Sequence, residues 1–198
     1  MHIQIRTTRL ALHDLSINDS MAMYEYRKDK NIQLFQSFIP NDIEEVKNFI
    51  ISNSSDFNIE NKWFQIGIYR GSTLIGDMGI HFLGPNNKQC EIGYTISVQY
   101  QKKGYGKEAV GCLLNYIFNN MKKHRVIASL NPDNIASIAL LESIGFRKEG
   151  IFIKSIYNKD HWEDDMIYAI LEDEWNEKQA ANNRFDLTQG IVTQSARS

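Results

Sequence analysis

Gly104 and Gly106 stand among Lys102, Lys103 and Lys107 in the stretch between Gln101 and Lys107. Glycine has no Cβ, so the backbone there can approach a ligand closely. The lysines add mobile positive charge. Before the stretch, Ile92, Tyr94, Ile96 and Val98 alternate with other residues, the pattern of a strand with one buried face. After it, Ala109, Leu113, Leu114, Ile117 and Phe118 fall on one side of a helix. A helix start carries backbone N–H groups without intrahelical partners, and the peptide dipoles add partial positive charge. Strand, glycine turn and helix start together form an anion cradle suited to a phosphate or pyrophosphate. Taken alone, the same residues equally describe a tight strand-to-helix turn with solvated lysines. The turn lacks the Lys-Ser/Thr of a P-loop and the third glycine of a dinucleotide fingerprint.

Elements on both sides must position that turn. Residues 3–12 alternate well enough for a first strand, with a bulge near Thr7-Thr8. Asn18 or Asp19 caps a predicted helix reaching about Lys30, packed through Met21, Tyr24 and Tyr26. Pro40 interrupts the chain. Asn41 or Asp42 then starts a helix with Ile43, Val46, Phe49 and Ile50 on one face. A polar loop from Ser52 to Asn61 leads into a meander. Its predicted strands are Trp63–Tyr69, Thr73–Phe82 and Gln89–Val98, with turns at Gly71-Ser72 and Gly84–Asn87. Past the helix, the spacing predicts a strand over Arg125–Leu130. A helix over Ile135–Ile144 follows, capped by Asn134 and ended by Gly145. Phe146–Tyr157 and Trp162–Leu171 read as two final strands joined at Asn158-Lys159-Asp160. The order is that of a mixed α/β (α+β) domain over residues 1–175. A tail over residues 176–198 is expected to begin as helix and end disordered or docked on a partner, a candidate homodimer contact.

Composition narrows the function classes. The chain has 198 residues, long enough for one domain with a substantial core. A formal net charge of −2 gives no case for general nucleic-acid binding. Cys90 and Cys112 form neither a C-x-x-C pair nor a disulfide framework, which points to a reducing compartment. His13, His81, His124 and His161 show no metal-ligand spacing, so no metal is expected. No apolar run has the length of a membrane span, and the N-terminus shows no signal-peptide core. The expectation is a cytoplasmic protein with no membrane partner.

Several segments, in order and spacing, resemble the GCN5-related N-acetyltransferases (GNAT), in particular the RimJ/RimL-like ribosomal-protein branch. They begin with Thr8-Arg9-Leu10, Glu91-Ile92-Gly93-Tyr94 and Gln101–Gly106, and continue through Asn131–Ser137 and Leu141–Phe146. Glu149-Gly150, Trp162–Asp165 and Tyr168 complete the match. Val98-Gln99-Tyr100 departs from it, standing where many relatives carry proline and an aromatic. The resemblance implies the GNAT fold: a mostly antiparallel twisted sheet, flanked by helices, with a V-shaped splay between two parallel strands ending near Val98 and Leu130. It implies transfer of acetyl from acetyl-CoA to a primary amine, a protein N-terminus first and a polyamine, amino acid or aminoglycoside next. A non-catalytic acyl-CoA-sensing module is the alternative of a different class. The cofactor-binding candidates are Ile96, Ser97, Val98, Gln101, Lys102, Lys103, Gly104, Tyr105, Gly106, Lys107, Asn134 and Ser137. The turn would take the pyrophosphate, and the backbone of Ile96 and Val98 would bind the pantetheine arm as an added strand.

Amine acetylation needs a neutral nucleophile, a polarised thioester carbonyl and a proton for the departing thiolate. Glu91 is the candidate base, acting through water; its plain alternative is an exposed strand-end carboxylate. Ser137 is the candidate donor to the thiolate; its plain alternative is a helix-start hydroxyl bonded to backbone. The Val98 N–H is the candidate oxyanion donor. Tyr157 and Tyr168 are alternative proton donors. Trp63, Phe64 and Trp162 are candidate walls of an acceptor pocket, and Glu163-Asp164-Asp165 a candidate attraction for a cation.

Overall fold

The computed structural model describes residues 3–53, 57–158 and 160–191. Eight strands form one sheet: β1 (Gln4–Arg6), β2 (Ala11–Asp14), β3 (Trp63–Arg70), β4 (Thr73–Leu83), β5 (Gln89–Ile96), β6 (Arg125–Leu130), β7 (Arg147–Asn158) and β8 (His161–Leu171). The spatial order is β1-β2-β3-β4-β5-β6-β8-β7, and every pairing is antiparallel except β5 with β6. The helices are α1 (Ser20–Arg27), α2 (Lys30–Gln33), α3 (Ile43–Asn53), α4 (Tyr105–Asn115), α5 (Ile135–Ile144) and α6 (Glu172–Ile191).

The first predicted strand is two. Thr7 N–H donates to Leu10 O at 2.9 Å, and the chain reverses there instead of bulging. β1 and β2 then pair with each other, Ile5 opposite Leu12. The predicted helix from Asn18 is likewise divided. Ser16 caps a short 3-10 turn over Ile17–Asp19 in a capping box with Asp19, and α1 and α2 follow as separate helices. Met23 and Tyr26 face the core from α1, whereas Met21 is exposed. Asp19, one of the two predicted caps, is the N-cap of α1, and of the predicted packing residues Tyr24 and Tyr26 pack in the core while Met21 faces out.

Alternation along β3 separates two cores. Phe64, Ile66 and Ile68 join one cluster with Leu113, Leu114, Ile117 and Phe118 of α4 and its extension, and with Trp175 of α6. Tyr69 and Leu74 join a second cluster with Met23 and Tyr26 of α1 and Val46 and Ile50 of α3. Each fully buried aliphatic or aromatic side chain contributes roughly 1.5–3 kcal/mol. Four such residues on α4 and the π-helical turn after it fix the helix, and with it the turn at its N-terminus. At the far end, Trp175 is buried and Lys178 Nζ donates to Ser143 O at 3.2 Å, so α6 lies against α5. The expectation of a disordered or docked tail end falls on residues 192–198, outside the described residues.

The sheet divides where β5 meets β6. These strands pair only at Gln89 with Arg125, Cys90 with Val126 and Glu91 with Ile127. β5 continues to Ile96 and β6 to Leu130, so beyond Glu91 they part as a V. Beyond that point β5 still pairs with β4 and β6 with β8, while their facing edges do not pair with each other.

Candidate active site

The glycine turn is built by local hydrogen bonds. Tyr100 N–H donates to Ser97 O at 2.8 Å and Gln101 N–H to Val98 O at 3.2 Å. Val98–Tyr100 is therefore a 3-10 turn, and β5 ends at Ile96, earlier than the alternation suggested. Gln101 Nε2 closes the turn by donating to Ile96 O at 2.9 Å. Ser97 N–H is held by Ile75 O at 2.9 Å. Lys102 and Gly104 take φ of +58° and +80°, left-handed values that turn successive peptide N–H groups the same way. The first helical bond of α4 is Glu108 N–H to Gly104 O at 3.1 Å. Among the described residues, no backbone N–H from Lys102 to Lys107 has a protein acceptor, and no side chain caps α4. A run of free donors at a helix N-terminus fits a diphosphate. Gly106 has a further reason to be glycine: a Cβ there would meet Leu140 Cδ1 of α5 at 2.8 Å.

Arg9 was absent from the site candidates, yet it holds this turn from outside. Its Nη1 donates to Lys103 O at 3.1 Å, its Nε to Glu108 Oε2 at 2.6 Å, and its guanidinium lies 4.6 Å from the centre of the Tyr105 ring. Thr7 Oγ1 donates to Glu108 Oε1 at 2.5 Å. Burial opposes ionisation of Glu108, but these hydrogen bonds and the Arg9 charge outweigh it and hold the carboxyl below its ordinary pKa. The signal for Arg9 was its place in the opening Thr8-Arg9-Leu10 segment; its partner Glu108, 99 positions away, has no local signature.

A cavity of about 680 Å³ lies at the mouth of the V. Glu91 and Ser137 both line it, as do Asn134, Tyr94, Gly79, Gly93 and Trp63. Gly79 and Gly93 are opposite each other in the β4–β5 ladder, so the floor there carries no side chains. Asn134 caps α5, its Oδ1 accepting from Ser137 N–H at 3.2 Å. Tyr94 of the same lining bonds to Ser137: its Oη donates to Ser137 O at 3.5 Å, and the Ser137 side chain is a hydrogen-bond partner of its phenol. Glu91 stands 3.7 Å from His81 Nδ1. Burial pushes its carboxyl above the usual range, His81 pulls it back, and Asp165 pushes it up again.

The remaining candidates separate. Asp164, Asp165, Glu163 and Tyr157 line the cavity. Phe64 does not: it points to the α4 core on the other face of β3, one residue out of phase with Trp63. Trp162 is exposed beside Tyr157 and is not part of the lining. Tyr168 is buried and donates to Glu142 Oε1 at 2.7 Å; burial and that carboxylate push its phenol up to about 12. It is a packed sheet residue. The turn from Gln101 to Lys107, with Ile96, Ser97 and Val98, lies apart from the cavity lining. Among the described residues no group of His, Cys, Asp and Glu side chains could hold a metal ion, and no helix is long and apolar enough to cross a membrane.

Residues 9–147 match the family described as an acetyltransferase (GNAT) domain. The chain belongs to the GNAT acetyltransferases. It is an acetyl-CoA-dependent N-acetyltransferase with a mixed sheet of the family's kind. It is 36% identical over 178 residues to the uncharacterized N-acetyltransferase YnaD of Bacillus subtilis (strain 168), covering 88% of this chain and 100% of that one. A crystal structure of a GNAT-family acetyltransferase from Bacillus anthracis superposes with a TM-score of 0.78 at 30% identity, covering 86% of this chain and 99% of that one. The Escherichia coli (strain K12) enzyme named [ribosomal protein uS5]-alanine N-acetyltransferase is 31% identical over 86 residues, 43% of this chain and 44% of that one.

Proposed function

We propose that this GNAT enzyme acetylates a protein N-terminal amine of ribosomal-protein type, by direct attack of the amine on the thioester. The observation that carries the reading is that Glu91, where the β5–β6 ladder stops, and Ser137, in the first turn of α5, line one cavity. The similarity to the uS5-alanine enzyme supports the choice of acceptor. The turn from Gln101 to Lys107 holds the diphosphate, and Asn134 with the backbone of Ile96 and Val98 holds the pantetheine arm. Glu91 takes a proton from the acceptor ammonium, directly or through one water. The Val98 N–H donates to the oxygen that gains charge. The Ser137 hydroxyl donates to the sulfur as it leaves.

The acidic lining of Glu91, Glu163, Asp164 and Asp165 favours a second reading, a small polycationic amine. The two are separated by thiol release from acetyl-CoA with an alanine-initiated peptide, a serine-initiated peptide and spermine, with product masses. We expect kcat/KM for a peptide to exceed that for spermine by about tenfold, a difference of about 1.4 kcal/mol. The reverse order would establish the small-amine reading. Tight CoA binding without turnover of any amine would establish a sensing module instead.

Ser137→Ala is expected to lower kcat roughly tenfold and leave acetyl-CoA affinity nearly unchanged. The loss is smaller than is usual for general-acid catalysis because a thiolate leaves more readily than an alkoxide or amide. Steady-state rates across pH, with calorimetric binding of acetyl-CoA, check it. An unchanged kcat at every pH would remove Ser137 from the chemistry.

A further inference from the structure

On the β4–β5 ladder, the cross-strand pair beyond the open floor of Gly79 and Gly93, on the same face of the sheet, is His81 with Glu91. Glu91 lines the cavity, whereas His81 does not. His81 Nδ1 lies 3.7 Å from Glu91 Oε2, and its side chain is 23% exposed. Trp63 of β3 holds the imidazole flat, with ring centroids 4.9 Å apart and planes 12° apart. The ring therefore meets the carboxylate of the cavity while remaining in reach of solvent. We infer that His81 is a positioning residue for the transfer: it takes from Glu91 the proton that the acceptor ammonium loses, and passes a proton on to water. The inference rests on the reading of Glu91 as base.

The steps balance without any other reactant. An N–H bond of the ammonium breaks as an O–H bond forms on Glu91. That O–H bond breaks as an N–H bond forms on His81. The imidazolium then loses a proton to water, and both side chains regain their starting charge. A separation of 3.7 Å is an ion-pair distance, and catalytic contacts that are long in the free enzyme shorten when substrate is bound.

Among the described residues, two titratable groups act on Glu91. His81 does so from β4, and Asp165 from β8, where Ser129 Oγ of β6 donates to Asp165 Oδ1 at 2.5 Å. Trp63 adds no charge. With burial and Asp165 both raising the carboxyl, His81 is the group that restrains it. Removing the imidazole must therefore raise the pH at which Glu91 becomes a base.

The test combines His81→Gln and His81→Asn with Glu91→Gln, using whichever of the alanine-initiated peptide or spermine the enzyme turns over best. In the His81 variants the acid limb of kcat/KM should move up by about half to one pH unit, a roughly three- to tenfold loss on that limb. The deficit should shrink as pH rises, and KM for acetyl-CoA should not follow it. In the protein with His81 intact, the ring's own titration is followed by NMR. Glu91→Gln should alter that curve. Profiles of the His81 variants that superimpose on the parent's would overturn the inference. So would a His81 titration indifferent to Glu91→Gln, which also decides the matter if the His81 variants do not fold. If Glu91→Gln keeps the parent's rate and acid limb, Glu91 is not the base, and that failure is seen separately from the histidine titration.

Discussion

Gly104→Asp is expected to weaken acetyl-CoA binding on the order of 100-fold, about 2.7 kcal/mol. Two effects act together. Gly104 has φ of +80°, which costs a residue with a Cβ about 1–2 kcal/mol. The new Cβ would also lie 3.3 Å from Arg9 Nη2, so the side chain grows beside the cation that fixes the turn. Its carboxylate would then compete with Glu108 for Arg9 and repel the incoming diphosphate. Gly104→Asn separates the contributions, because asparagine tolerates left-handed backbone and carries no charge. It should weaken binding about tenfold, leaving the rest of the loss to electrostatics. Calorimetry at two salt concentrations reads both: the Asp variant should recover part of its loss as salt rises. Parent-like affinity in Gly104→Asp would mean that the diphosphate lies elsewhere.

The largest expected effect on stability is at Asp77. This carboxylate is 1% exposed and accepts from Arg27 Nη2 at 2.6 Å, from Tyr26 Oη at 2.5 Å and from Gln65 Nε2. Arg27 is itself buried, and its Nε has no acceptor. Burial works against the guanidinium charge, and Asp77 outweighs it, leaving the Arg27 pKa raised. Asp77→Ala would strand that cation beneath the Phe38 and Phe49 rings. The expected cost is about 3–5 kcal/mol in urea unfolding, with the slope unchanged. Replacing both partners, as Asp77→Ala with Arg27→Met, should restore much of the loss, since an apolar pair leaves no buried charge. A loss below about 1 kcal/mol in the single variant would show the pair to be solvated.

What could be read from the sequence was local. The glycine turn, the Asn134 cap and the Gly145 stop each announce themselves through backbone chemistry within a few residues. The strands of the meander carry their own alternation. What could not be read depends on register. Nothing near His81 names Glu91 as its partner; the β4–β5 pairing does. The Arg27–Asp77 pair spans 50 positions and joins α1 to β4. Phe64 was misplaced because alternation tells that neighbours on a strand face apart, not which of them faces the cavity. The β1–β2 reversal was missed because Thr7 and Arg9 are not usual turn residues. They hold it through Leu10 N–H, which donates to Thr7 Oγ1 at 2.8 Å, and through Glu108 on a distant helix.

The central claim is that the backbone between Lys103 and Lys107 receives the diphosphate and so aims the thioester at Glu91 and Ser137. A crystal structure with CoA bound tests it most directly. Diphosphate oxygens should lie within about 3.2 Å of N–H groups in that stretch, and the sulfur should point into the cavity between the two arms of the V. A diphosphate seated away from α4, with those N–H groups facing water, would contradict the account.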